Sequence, residues 1–394
     1  MPVLSQVVVI LVLLAAAFLF AQIAYHAGMP SAAAIVLVGI AANGMLPRDI
    51  RIELTPATLA LFLPALIFEG AWSIDVVALR GAALSIAVLA VPGVLVTCAI
   101  IACAGVAIGG MALPAAFALG ATLSATDPIA VLALFRALHV PTALLTIVEG
   151  ESIANDGVAA ILVQMSLLAA LGGLHGVGAM WLPGLYSPLA GIAIGVAFAR
   201  VLGPIGRRFP GPSAGIVATV AIAYGSYGLA TLAGGSGIFA SAAAGIALPQ
   251  RAPDSNEVLT VERFWDRIAF VANAIVFLLV GLSLRLERIF AEPRLLAATV
   301  AAVVVSRLLL AYALVPIRHA TGPRNAWRHA VALSGIRGGL SLALALGLPY
   351  DFPDRAELID AVFAVVFLTL VVQGWTLAPL LRRLRLGAPA YPFG

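Results

Sequence analysis

Seven ionisable side chains fall inside long apolar runs of this sequence: Glu69, Asp127, Glu149, Glu151, Asp156, Arg307 and Arg337. A charge at bilayer depth costs at least a few kcal/mol, so residues of this kind are functional candidates unless a partner explains them. Four of them cluster in two short segments, Ser124-Ala125-Thr126-Asp127-Pro128 and Glu149-Gly150-Glu151-Ser152-Ile153-Ala154-Asn155-Asp156-Gly157. On a helix, residues four apart share a face. Glu151 and Asn155 therefore form one polar stripe, and Ser152 and Asp156 form the next, about 100° round. Arg307, in Val-Val-Val-Ser306-Arg307-Leu-Leu-Leu, has no other polar company nearby. It requires a buried acid, and Glu151 is the natural partner, with Asn155 as a further acceptor.

That pairing leaves Asp156, Asp127, Ser152, the Thr126 hydroxyl or carbonyl, and Glu69 as a further oxygen. Hard oxygens suit alkali cations, and no Cys/His cluster is present that would favour a transition metal. No cofactor is expected. Buried carboxylates also hold protons more readily than solvated ones, through desolvation. A group that takes either a cation or a proton, but not both, is the physical core of ion exchange. Glu149 lies within a turn of its helix entrance and is left outside the candidate set.

The elements that must position these groups follow from composition. The chain has 394 residues, 62% hydrophobic and 10% charged, with mean hydropathy +1.10. Soluble chains are roughly half apolar and a quarter charged, so the solvent here is lipid. At about 20 apolar residues per span plus a turn, the length holds about 13 helices. The expected spans are 3–25, 30–46, 55–72, 79–108, 112–136, 141–172, 181–205, 212–233, 236–249, 262–284, 294–318, 325–348 and 357–383. Weak strand alternation argues against an outer-membrane barrel. The fold class is an all-α polytopic membrane protein. Asp127-Pro128 interrupts the fifth span, because proline removes a donor and biases the preceding residue away from helix. Ser334-Gly335-Ile336-Arg337-Gly338-Gly339 interrupts the twelfth through clustered glycines. If spans 1–6 and 8–13 are two repeats, approximately 3–172 and 212–386, the breaks fall at corresponding positions. Such a pair of breaks points to a transporter's midplane site.

All 22 basic residues are arginine. With the C-terminus cytoplasmic, 14 of those near span ends lie inside and 6 outside, the direction of the positive-inside rule. The expectation is a multi-pass inner-membrane protein, N-terminus outside, with a short cytoplasmic tail at 387–394. No water-exposed segment is large enough for a basic patch, so nucleic-acid binding is excluded. Cys98 and Cys103 read as inert core thiols. His26, His139, His175, His319 and His329 fall at helix ends or in loops.

At these residues the sequence resembles the monovalent cation:proton antiporter family, in the branch that holds prokaryotic NhaP-type and animal sodium/proton exchangers. The matching motifs are Thr126-Asp127-Pro128, Glu149-Gly150-Glu151-Ser152-x-x-Asn155-Asp156, Ser306-Arg307 and Gly335-Ile336-Arg337-Gly338-Gly339, and they cover the chain in order and spacing. The resemblance implies 13 helices, an inverted repeat, two crossed discontinuous helices, a homodimer in the lipid bilayer and an elevator-like movement of an ion-binding core. It implies that Asp156 is the main cation and proton carboxylate. Asp127, Thr126, Ser152 and Glu69 would shape the site, and Glu151 would pair with Arg307 and fix Asn155. Arg337 would stabilise the opposed helix ends. The Asn155-Asp156 pair resembles the electroneutral type, and Ala154 departs from a position that is often bulky and apolar in the family.

The function expected is exchange of Na⁺ or Li⁺ for H⁺, not an enzymatic reaction. K⁺/H⁺ exchange by the same site is the nearest alternative. A cation channel would need a repeated filter loop, which is not visible. An intramembrane protease built on Gly234-Gly235-Ser236-Gly237 lacks a histidine in a partner helix.

Overall fold

The computed structural model describes residues 2–26, 31–45, 54–74, 76–127, 129–170, 177–206, 212–248, 256–284, 286–289, 292–315, 324–384 and 386. Pro128, His175, His319 and the 387–394 tail lie outside the described residues. So do the topology arginines Arg48, Arg51, Arg207, Arg208, Arg251, Arg285, Arg318 and Arg385.

Every regular element among the described residues is helical. The first half comprises α1 (Pro2–His26), α2 (Ser31–Met45), α3 (Pro56–Trp72), α4 (Val76–Val88), α5 (Val94–Ala107), α6 (Leu113–Ser124), α7 (Ile129–Ala137) and α8 (Thr142–Ala170). The second half comprises α9 (Val177–Gly206), α10 (Pro212–Leu232), α11 (Gly237–Ala247), α12 (Asn256–Ser283), α13 (Leu286–Ile289), α14 (Pro293–Leu309), α15 (Arg324–Leu333), α16 (Gly339–Leu346), α17 (Arg355–Leu368) and α18 (Gly374–Arg383). Seven of these helices, some joined end to end, are long and apolar enough to cross a bilayer, and five shorter ones are apolar. α4 runs into α5 and α17 into α18 through π-helical turns, and α14 ends in a third. Pro92 sits in the first of these turns, where its missing N–H makes a wider turn the local solution.

Local chemistry sets the ends. The Thr55 side chain accepts from the Thr58 N–H at the start of α3, with Pro56 at the first helical position. Ser236 caps α11 in the same way through the Phe239 N–H. α6 ends at Ser124 and α15 at Leu333, so both interruptions stand where proline and glycine place them. The short α13 was not expected from the sequence.

The helices sort into two groups. α1, α2, α3 and α9–α12 pack on one another, and so do α4–α8 and α14–α18. Within the first group Phe68, Trp72, Trp265 and Ile222 make their own apolar cluster. α2 and α12 meet at glycines. A Cβ on Gly39 would lie 2.8 Å from Gly281 Cα and 3.0 Å from the Leu282 nitrogen, both backbone atoms that cannot swing away. Close approach of this kind is how helices associate in lipid, where no hydrophobic drive separates helix from acyl chain.

Gly39→Leu should therefore force α2 from α12 and destabilise the protein by about 1–3 kcal/mol, the usual cost of overpacking. Thermal unfolding in detergent, followed by size-exclusion chromatography, checks this. Gly44→Leu, where a Cβ meets nothing within 4 Å, should leave the unfolding temperature unchanged.

Candidate functional site

The two interruptions meet. The Asp127 backbone N–H donates to the Ile336 carbonyl at 2.7 Å, tying the fifth span's break to the twelfth's. Ser341 Oγ donates to the Ala125 carbonyl at 3.3 Å from the first turn of α16. Each break exposes helix-terminal carbonyls and amides at bilayer depth, and these need partners.

Arg337 supplies some of them. It is fully buried; its Nε donates to the Leu123 carbonyl at 2.9 Å, in the last turn of α6, and a second guanidinium nitrogen donates to the Gly335 carbonyl just beyond α15. Its own N–H is held by Thr369 Oγ1 at 3.1 Å. A cation placed at two helix C-termini opposes the negative ends of both dipoles. At the other pole, the Asp127 carboxylate lies against Gly338 so closely that any Cβ there would collide with it. Gly338 is the residue before α16, so an anion meets that helix's positive end.

α8 supplies the wall behind the crossing. Glu151 and Arg307 form a buried ion pair, at 2% and 5% exposure. Arg307 also donates to the Val331 carbonyl at 3.0 Å and its guanidinium packs on Gly335. The pair thus links α8, α14 and the end of α15. Asn155 does not serve Arg307. Its Nδ2 donates to Thr126 Oγ1 at 2.8 Å, and its Oδ1 has no partner. The helical spacing was right, but the extended Thr126 reaches the amide first. Ser152 Oγ donates to the Thr126 carbonyl at 2.7 Å, and the Thr126 backbone is hydrogen-bonded to Asp156. Both polar stripes of α8 therefore grip one residue of the break through its hydroxyl, its carbonyl and its backbone.

Asp156 keeps one oxygen, Oδ1, buried and without a partner. It faces a cavity of about 340 Å³ that Thr126, Asp127, Ser152 and Glu69 also line, so the cavity brings together every residue named as a cation ligand from sequence. Among the described residues no three His, Cys, Asp or Glu side chains stand as a ready metal cluster. A cation here would draw on hydroxyls and carbonyls beside the carboxylates. The sequence reasoning missed four cavity residues: Arg136, Glu149, Asp266 and Asn273. Glu149 accepts from Ser73 Oγ at 2.9 Å and faces the half-exposed Arg136 at 3.6 Å. Its signal was present, because 149, 152 and 156 are spaced three and four apart and share a face.

Two interrupted helices crossing at a buried carboxylate, beside a cavity between two helix groups, define a polytopic ion transporter. The family model for the transmembrane sodium/hydrogen exchanger matches residues 8–383, and the chain belongs to that family. It is 34% identical to the Na(+)/H(+) antiporter ApNhaP of Aphanothece halophytica over 91% of this chain and 70% of that one. It is 32% identical to the Na(+)/H(+) antiporter NhaP of Pseudomonas aeruginosa, over 86% and 84%. The sodium proton antiporter MjNhaP1 of Methanocaldococcus jannaschii shares the fold, with a TM-score of 0.79 at 19% identity over 98% of this chain and all of that one.

Arg307→Ala and Glu151→Ala should each cost about 3–5 kcal/mol, because each strands a buried charge. The double variant should be less damaged than the sum of the singles. A double-mutant cycle of unfolding temperatures in detergent measures the coupling, and additive losses would contradict the pair.

Proposed function

We propose that this chain exchanges Na⁺, or Li⁺, for H⁺ across a membrane, with Asp156 as the carboxylate that holds one ion or the other. The observation that carries the reading is Asp156, which keeps one carboxylate oxygen without a partner and lines a cavity with Ser152, Thr126, Asp127 and Glu69. A carboxylate with one oxygen left unpartnered must be neutralised to cross a lipid-depth environment, and either a proton or an alkali cation does so. Competition between the two couples their movements. Ser152 and Thr126 contribute hard oxygens suited to a small alkali cation. Asp127 is held at the α16 terminus and adds negative charge beside the cation. Glu69 also lines the cavity and serves as a capture site.

Glu151, Arg307, Asn155 and Arg337 are scaffold in this scheme. They fix the break in place and do not bind the transported ion. Asn155 carries no charge, so one titrating carboxylate per cycle gives one proton per cation and an electroneutral exchange. Membership of the sodium/hydrogen exchanger family and the Na(+)/H(+) names of the relatives favour sodium over potassium. The arginine bias favours an N-terminus outside and a C-terminus in the cytoplasm, in the inner membrane of the cell. The cavity then opens inward. Spans 3–172 and 212–386 form the two inverted repeats of a single transporter domain. The apolar outer faces of α1, α9 and α10 meet lipid and a second copy in a homodimer. Movement of the α4–α8 and α14–α18 group against the other exposes Asp156 to either side.

Everted vesicles with an imposed pH gradient test the scheme. NaCl and LiCl should dissipate the gradient and KCl should not, and Asp156→Ala should abolish the response with normal protein in the membrane. A fully active Asp156→Ala would sink the proposal. A sodium-driven rate that changes when valinomycin and potassium clamp the voltage would refute electroneutrality alone.

A further inference from the structure

The cavity is also lined from the other helix group, by α12 together with α2 and α3. Asp266, Phe270, Asn273 and Phe277 line it from α12. Their spacing of three, four and seven keeps them on one face. Asp266 lies within electrostatic reach of Glu69. Asn273 is seven residues further along the helix, about 10 Å at 1.5 Å per residue. The only other polar group on this stretch of the stripe is Asp266, because the residues around Asn273 are Val271, Ala272, Ala274, Ile275 and Val276.

Asn273 is 6% exposed, and its Nδ2 has no hydrogen-bond partner. A buried amide left without a partner costs about 1–3 kcal/mol, and neighbouring alanines show that the helix packs here without one. Asn273 and Asp156, each with one unpartnered side-chain atom, line the same cavity from different helix groups. The cavity, about 340 Å³, has room for a cation and the water it keeps.

We propose that Asn273 is a specificity-determining residue, the α12-side polar contact that anchors the water retained by the cation at Asp156. A carboxamide suits this task. Its carbonyl oxygen can accept from a water that gives its own oxygen to the cation, while the NH2 group donates elsewhere. It also adds no charge and no proton to the exchange cycle. Alkali ions differ in how tightly they keep their water, so a fixed contact across the cavity discriminates among them. Asn273 belongs to the group that packs with α2 and α3, not to the group that carries Asp156. The contact is made when the two groups stand as they do in this structure. The inference rests on the antiport reading above and assigns its selectivity.

The test uses the purified full chain in proteoliposomes with an imposed pH gradient, titrated with NaCl, LiCl and KCl. Asn273→Ala should raise the half-saturating Na⁺ concentration about tenfold, the equivalent of one lost polar contact. The maximal rate should stay within about twofold, as expected when binding is lost without loss of the transport step. The preference among the three cations should change. Asn273→Asp keeps a polar group and adds charge, so it should lower the half-saturating concentration; it carries the test if the alanine variant fails to fold. Unchanged concentrations and preferences in both variants would overturn the role. So would a loss of maximal rate alone, which marks a packing residue. A wild type with no response to any cation overturns this inference together with the antiport reading. A responsive wild type with unaltered variants overturns only the role of Asn273.

Discussion

Backbone groups opened at lipid depth are the constraint on which the rest of this molecule depends. Two helices stop and restart at bilayer depth, and each stop leaves carbonyls and amides that need partners within the protein or its cavity. The chain meets this by letting the two breaks face each other. Asp127 N–H bonds the Ile336 carbonyl, Arg337 covers the ends of α6 and α15, and the Asp127 carboxylate lies on the start of α16. The crossing is thus neutralised by its own side chains before any ion arrives. Removing any of these groups would unsettle the position of Thr126.

Thr126 is the hinge between that scaffold and the chemistry. Its three polar groups are engaged by Asn155, Ser152 and Asp156, all on α8. α8 is itself anchored by the Glu151–Arg307 pair to α14 and α15. Such a pair is costly to bury, and its net contribution to stability is small against an apolar replacement. Its value here is register. It fixes the rotation of α8, and the rotation decides that Asp156 faces the cavity. One carboxylate oxygen stays free because the surrounding polar groups are committed to one another or to the helix ends.

The cavity divides the molecule functionally as well as sterically. One wall carries the crossing and Asp156; the other carries Asp266 and Asn273 on α12. α2 and α12 are locked at Gly39 and Gly281, so the second wall is a rigid surface.

Legible in the sequence were the membrane class, the helical architecture, both breaks and three of the carboxylates around the cavity, Glu69, Asp127 and Asp156. Each is a local matter: apolar run length sets the spans, proline and clustered glycines interrupt them, and helical spacing puts Ser152 and Asp156 on one stripe. The Glu151–Arg307 pairing was legible because each charge lacked any other answer at that depth. The partner of Asn155 was not legible, since it depends on where an extended segment from another span comes to rest. Glu149 carried a readable spacing but was set aside for its nearness to a helix end. Asp266 and Asn273 carried no decisive signal, because they lie more than a hundred residues from Asp156. Only the packing of α12 across from α8 made them its neighbours. Periodicity tells which face a residue occupies, and tertiary structure alone decides what that face meets.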